Sequence, residues 1–126
     1  MCNVRELTSH KVNGLNEQLS VMAYLDEPGP GNARHCYTIG YCDEGGVSPI
    51  VDIVFQNGPI SETGVNGISN ESLLAIIEDR LIAFEAGEYS CRENYMALTK
   101  LQEAMMWLKK RTLDRVERGV EGTYHK

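Results

Sequence analysis

The sequence predicts an α+β protein: an antiparallel three-stranded β-meander followed by an antiparallel helical hairpin. Two observations carry that reading. Apolar residues alternate with period two in three short runs before residue 58, and then recur every three to four residues in two runs after residue 68. Turn-forming residues punctuate the first half, whereas capping residues bracket the two runs of the second.

Taken in order, residues 1–17 have mixed polarity and no period, and read as an irregular arm. The meander occupies residues 18–58. Leu19, Val21, Ala23 and Leu25 alternate with Ser20, Met22 and Tyr24, which is strand periodicity. The turn-rich run Glu27-Pro28-Gly29-Pro30-Gly31-Asn32 breaks the strand. His35, Tyr37, Ile39 and Tyr41 form one face of a second strand, and Asp43-Glu44-Gly45-Gly46 turns the chain into a third with Val51, Ile53 and Phe55 on one side. Three strands are too few to stand alone, so one face is expected to need a cover, supplied by the C-terminal half.

Residues 59–68 form a linker, and residues 69–118 the hairpin. Ser69 is a good N-cap, and Ile68 with Leu73 has the spacing of a hydrophobic staple. Leu73, Leu74, Ile77, Leu81 and Phe84 give the first helix its stripe, and Gly87 ends it. Ser90 and Glu93 have capping-box spacing and are expected to start the second helix. That helix runs to about Arg118, where Gly119 stops it, leaving 119–126 as a tail. A connection this short makes the two helices antiparallel neighbours.

The second helix carries the most informative pattern. Its seam reads Asn94, Leu98, Leu101, Met105, Leu108, Thr112, Arg115: apolar in the middle and polar at both ends. Such a seam suits pairing of two copies, with Met105, Met106 and Trp107 near the contact; packing of those residues on the sheet is the competing account.

Composition excludes several classes. With 42% hydrophobic and 24% charged residues, the chain reads as globular, and no apolar run reaches the ~20 residues of a membrane helix. The net charge of −6 disfavours a DNA or RNA polymer as partner. Yet Lys109, Lys110, Arg111, Arg115 and Arg118 cluster near the C-terminus, a local patch suited to a small anion. Cys2, Cys36, Cys42 and Cys91 include no Cys-x-x-Cys pair, and His10, His35 and His125 show no ligand spacing, so free thiols and no metal or cofactor are expected. The start Met1-Cys2-Asn3-Val4-Arg5 has no apolar signal core, so nothing argues for export.

Arg111 and Arg115 share a helix face with Thr112 beside them. Two guanidinium forks there suit a pyrophosphate; a purely structural placement, favoured by the negative end of the helix dipole, is the alternative. Arg92 and Asn94 stand in the first turn of the second helix, where backbone N–H groups favour an anion. Asn94 has donor and acceptor atoms for a base edge, or else fixes seam register. Phe84 is expected near Asn94 across the connection, as a stacking platform or as core. Packed antiparallel, two hairpins bring the Arg111/Arg115 end of one to the Phe84/Asn94 end of the other. No Ser-His-Asp set, metal pair or phosphate loop is present, which favours binding over turnover.

The order of meander, Phe55-Gln56-Asn57-Gly58-Pro59 and hairpin resembles the phage anti-Thoeris sponge family, most closely in Gly64-Val65-Asn66-Gly67, Cys91-Arg92-Glu93-Asn94, Ala97-Leu98-Thr99-Lys100-Leu101 and Arg118-Gly119-Val120-Glu121-Gly122-Thr123. The hairpin is similar to that of the phage anti-CBASS cyclic-nucleotide sponge. The resemblance implies a protein of the infected host's cytoplasm that sequesters cyclic ADP-ribose isomers made by TIR enzymes, without degrading them. It assigns that ligand to Phe84, Asn94, Arg111, Arg115 and Thr112, and a separate cyclic di- or trinucleotide site to Arg92, Gly58 and Pro59. It also implies a homo-oligomer, a dimer or trimer of dimers. No basic residue stands in Asn57-Gly58-Pro59-Ile60, so the second site is the less supported. The rival readings are an enzyme that degrades the same signal and a structural hairpin oligomer that binds no small molecule.

Overall fold

The computed structural model describes residues 4–25 and 33–121. The chain divides into two compact units, Met1–Gly67 and Ile68–Lys126.

The first unit holds a four-stranded antiparallel sheet in the order β1-β2-β3-β4, made of Val4–Leu7, Leu19–Tyr24, Cys36–Asp43 and Gly46–Val54. This corrects the three-stranded meander. The extra strand, β1, comes from the stretch with no period, and it pairs Val4 with Tyr24 through Leu7 with Val21. It was illegible for a physical reason. As an edge strand with three of its four residues exposed, it has no buried face to impose alternation. A short helix, α1 (Gly14–Gln18), follows, capped by Asn13, whose Oδ1 accepts from Asn16 N at 3.0 Å. The turn at Glu27 to Asn32 lies outside the described residues.

β3 and β4 form a long hairpin with a bulge. Ile39 pairs with Val51 but Gly40 with Pro49, leaving Ile50 as the extra residue. Pro49 is tolerated because β4 is the other edge of the sheet and the bulge falls beside it. Gly40 is dictated by closeness: a Cβ there would lie 2.7 Å from Val47 Cγ1 and 3.0 Å from the Ser48 carbonyl oxygen. The most buried positions are small: Ala23, Ser20 and Thr38. The Thr38 hydroxyl is satisfied across strands, 2.8 Å from Asp52 Oδ1 and 3.0 Å from the Tyr24 hydroxyl.

After β4 the chain makes a closed loop stitched by two side-chain amides. Gln56 Nε2 donates to the carbonyls of Gly58 (3.2 Å) and Gly64 (2.7 Å), and its Oε1 accepts from Asn66 N (2.9 Å). Asn66 in turn accepts from Asn57 N (2.8 Å) and donates to Asn57 O (2.7 Å). One helical turn, α2 (Ile60–Thr63), sits inside the loop behind Pro59. Gly67 closes it at such short range that a Cβ would stand 2.4 Å from the Phe55 carbonyl carbon.

The second unit is an antiparallel hairpin of α3 (Asn70–Ala86) and α4 (Arg92–Glu117). Ser69 caps α3 in a reciprocal box with Ser72, at 3.1 and 3.2 Å. α4 starts differently from expectation. Its N-cap is Cys91, whose Sγ accepts from Asn94 N at 3.4 Å, because Ser90 is turned to Glu85 instead. The less exposed residues of α4 are Asn94, Leu98, Leu101, Met105, Leu108, Thr112 and Arg115, the seam read from the sequence residue for residue. On α3, Leu73, Leu74, Leu81 and Phe84 are half-buried as expected, but Ile77 is exposed.

Candidate functional site

α4 ends in a tight reversal. Gly119 takes a left-handed conformation (φ 71°), which lets its N–H reach Val116 O and the Val120 N–H reach Arg115 O, both at 3.0 Å. These two bonds form a Schellman cap, and they turn the following residues back over the last turn of the helix. Arg115 is thereby buried at 8% exposure. Its Nε donates to Glu121 Oε2 at 3.1 Å and its Nη2 to the Val120 carbonyl at 2.9 Å.

Beside this cap lies an open groove of about 530 Å³, lined by Trp107, Lys110, Arg111, Asp114, Arg115 and Arg118. The spacing explains the lining: residues three and four apart share a helix face, so Trp107, Arg111, Asp114/Arg115 and Arg118 follow one another along α4. The groove sets four cations against one carboxylate. Asp114 accepts from Lys110 at 3.1 Å and Glu121 accepts from Arg115, so two of the four cations are already matched. The side chains of Arg111 and Arg118 make no hydrogen bond or ion pair among the described residues, and both residues are exposed. A neighbouring concavity of about 790 Å³ shares Lys110 and Asp114, but sets Glu78, Asp114 and Glu117 against Lys109 and Lys110. Charge therefore selects the first groove, not the larger one, for an anion.

The other end of the hairpin is built from the five-residue connection between Ala86 and Arg92. Glu85 holds it through both carboxylate oxygens, accepting from Ser90 Oγ and Cys91 N at 3.2 Å each. Asn94 Nδ2 donates to Tyr89 O at 3.2 Å. Phe84 meets the Tyr89 ring edge-on at 6.2 Å, and the Arg80 guanidinium lies over its face at 5.4 Å. Phe84 and Asn94 thus share Tyr89 as a neighbour. Arg92, the first residue of α4, is exposed.

The predicted residues therefore fall into separate places. Phe84 and Asn94 stand at the connection, and Arg111 and Arg115 at the groove. Seventeen residues of helix separate Asn94 from Arg111, about 25 Å at 1.5 Å per residue. Thr112 is half-buried in the seam and does not line the groove. Gly58 and Pro59 belong to the first unit, Gly58 with φ 92° and Pro59 buried. Sequence reasoning had Lys110 and Arg118 in the basic cluster suited to a small anion without naming them as ligand contacts, and it missed Trp107 as a groove residue, although its four-residue spacing from Arg111 was available. Among the described residues no group of His, Cys, Asp or Glu is placed to hold a metal, and no helix is long and apolar enough to cross a membrane.

These features define a class: an antiparallel sheet joined in sequence to a helical hairpin whose long helix ends in a cation-rich groove. Residues 48–113 match the Acb2/Tad1 hairpin domain, and the chain belongs to that family. It is also similar to Thoeris anti-defense 1 of Bacillus phage SBSphiJ7, with 53% identity over 77 residues, 61% of this chain and 54% of that protein. The chain thus spans about half the length of the curated relative it matches.

Proposed function

We propose that this protein is a phage anti-defence sponge that binds a cyclic ADP-ribose isomer and holds it chemically unchanged, within the infected cell. The observation that carries the reading is the groove at the end of α4, where four cations face one carboxylate beside an exposed indole. An overall charge of −6 makes that local excess a site for a small anion rather than a nucleic-acid track. Family membership and the name of the phage relative support the same direction.

In this reading Arg111 and Arg115 grip the pyrophosphate, with Thr112 beside them, because guanidinium forks match phosphate oxygens two at a time. Phe84 stacks the purine and Asn94 reads its edge. Since those two residues lie about 25 Å along the helix from Arg111, they come from a second copy packed antiparallel. Exposed apolar residues on the hairpin, among them Ile77, Met106, Leu113 and Val116, supply the surface for that pairing. The assembly is then a dimer, or dimers gathered into a trimer. A separate site for cyclic di- or trinucleotides, using Arg92, Gly58 and Pro59, is the secondary part of the proposal.

A sponge must outcompete the effector for its signal, so submicromolar or tighter binding is required, about −8 to −12 kcal/mol. The deciding experiment is capture and release. The purified protein is mixed with cyclic ADP-ribose isomers and cyclic di- and trinucleotides, freed of unbound ligand, heat-denatured, and the released molecule identified by mass spectrometry. Intact cyclic ADP-ribose isomer in stoichiometric amount is the expected result. An altered ligand indicates an enzyme, and an empty protein leaves the hairpin as a structural oligomer.

A further inference from the structure

The most buried cation of the groove already holds an anion, and that anion is the protein's own. Arg115 is presented to the groove, yet its Nε–H is committed to Glu121 and one Nη2–H to the Val120 carbonyl. The pair is asymmetric in exposure: the Arg115 side chain is 10% exposed and the Glu121 side chain 40%. The guanidinium is therefore fixed in place, while the carboxylate lies at the water-facing side and is the partner able to leave. The backbone does not depend on Glu121, because the Gly119 reversal is held by the two N–H bonds of the Schellman cap.

We infer that Glu121 is a specificity-determining residue, an internal carboxylate that an incoming anion must displace to reach Arg115; this rests on the reading of the groove as an anion site. Arg111 and Arg118, exposed and without side-chain partners among the described residues, are met first. A pyrophosphate can engage them and still present oxygens to the Arg115 Nε–H. It replaces one charge-assisted bond by another of the same kind and adds those to Arg111 and Arg118. A monoanion has too few oxygens to hold the outer arginines and also evict the carboxylate. Glu121 thus sets a charge threshold, and affinity falls by the fraction of molecules in which Arg115 stands uncovered.

The test compares the full wild-type chain with Glu121→Gln by titration calorimetry, using inorganic pyrophosphate, the monoanion dimethyl phosphate and cyclic ADP-ribose isomers as probes. Glu121→Gln is expected to tighten pyrophosphate about five- to tenfold, as follows if Arg115 is uncovered in roughly a tenth to a fifth of molecules. It is expected to leave dimethyl phosphate within about twofold, because a monoanion held by the outer arginines alone does not require Arg115 to be uncovered. Unchanged or weaker pyrophosphate binding in Glu121→Gln overturns the inference, as does absence of pyrophosphate binding to both proteins. If the variant does not fold, the wild-type Glu121 side-chain carboxyl resonance decides: it must shift on saturation with pyrophosphate, and a stationary signal refutes displacement. Failure of cyclic ADP-ribose isomers to bind the wild type sinks the sponge reading separately, while the pyrophosphate arm still judges Glu121.

Discussion

The two ends of α4 use polar residues differently. At the start of the helix, Cys91, Asn94, Ser90 and Glu85 are consumed by the connection, each bonded to a neighbour in the chain. At the finish, Arg115 is likewise consumed by the terminal reversal, but Arg111 and Arg118 beside it are not. The polar ends of the seam therefore have a local cause. Asn94 ties the entry and Arg115 ties the exit, where helix ends leave backbone groups in need of partners. What sets the finish apart is the groove flanking the seam, where four cations stand against one carboxylate.

The largest test removes that imbalance. Changing Arg111 and Arg118 together to Ala is expected to weaken ligand binding at least about 100-fold, at about 1.5–3 kcal/mol for each lost charge-assisted contact. Circular dichroism should remain unchanged; retained affinity in calorimetry would break the contrast between the two ends. Arg115→Ala is next, and here stability falls as well as affinity. It removes the charge-assisted bonds to the Val120 carbonyl and the Glu121 carboxylate, so chemical denaturation should show a loss of about 2 kcal/mol. Arg111→Ala, exposed and unpaired, should change stability by less than about 0.5 kcal/mol. Equal losses in those two variants would erase the distinction drawn between a structural and a free arginine.

A smaller effect belongs to the entry of the helix. Asn94→Ala loses the bond to Tyr89 O and should cost about 1 kcal/mol of stability in the same assay. No loss would mean that Glu85 alone holds the connection. Smallest is Lys110→Met, which breaks an exposed i,i+4 pair with Asp114 and should shift stability by at most about 0.5 kcal/mol. A larger shift would show that the partition between the two grooves is a structural element in its own right.

Legibility followed locality. The α4 seam could be read completely because burial against one neighbouring helix imposes a period of 3.6 that depends on nothing remote. Ser69 as a cap was readable for the same reason, as a signal contained within four residues. Ser90 misled because its hydroxyl had two possible uses, and Glu85, five residues earlier, took it. β1 was invisible because an exposed edge strand is defined by its partner, not by its own pattern. Trp107 was legible as a residue near a contact between copies or packed on the sheet, but its place in the groove beside Arg111 was not.

By itself, then, the sequence determined the helical hairpin, the stripe that joins its helices, the turn that separates β3 from β4 and the clustering of cations near the C-terminus. These are consequences of residues a few positions apart. Only the tertiary structure decided the fourth strand, the cap at Cys91 and which arginines keep their charge unmatched. Those outcomes rest on pairings such as Val4 with Tyr24 and Arg115 with Glu121, made when the chain returns on itself. Spacing places a guanidinium on a face, but the fold decides what it meets there.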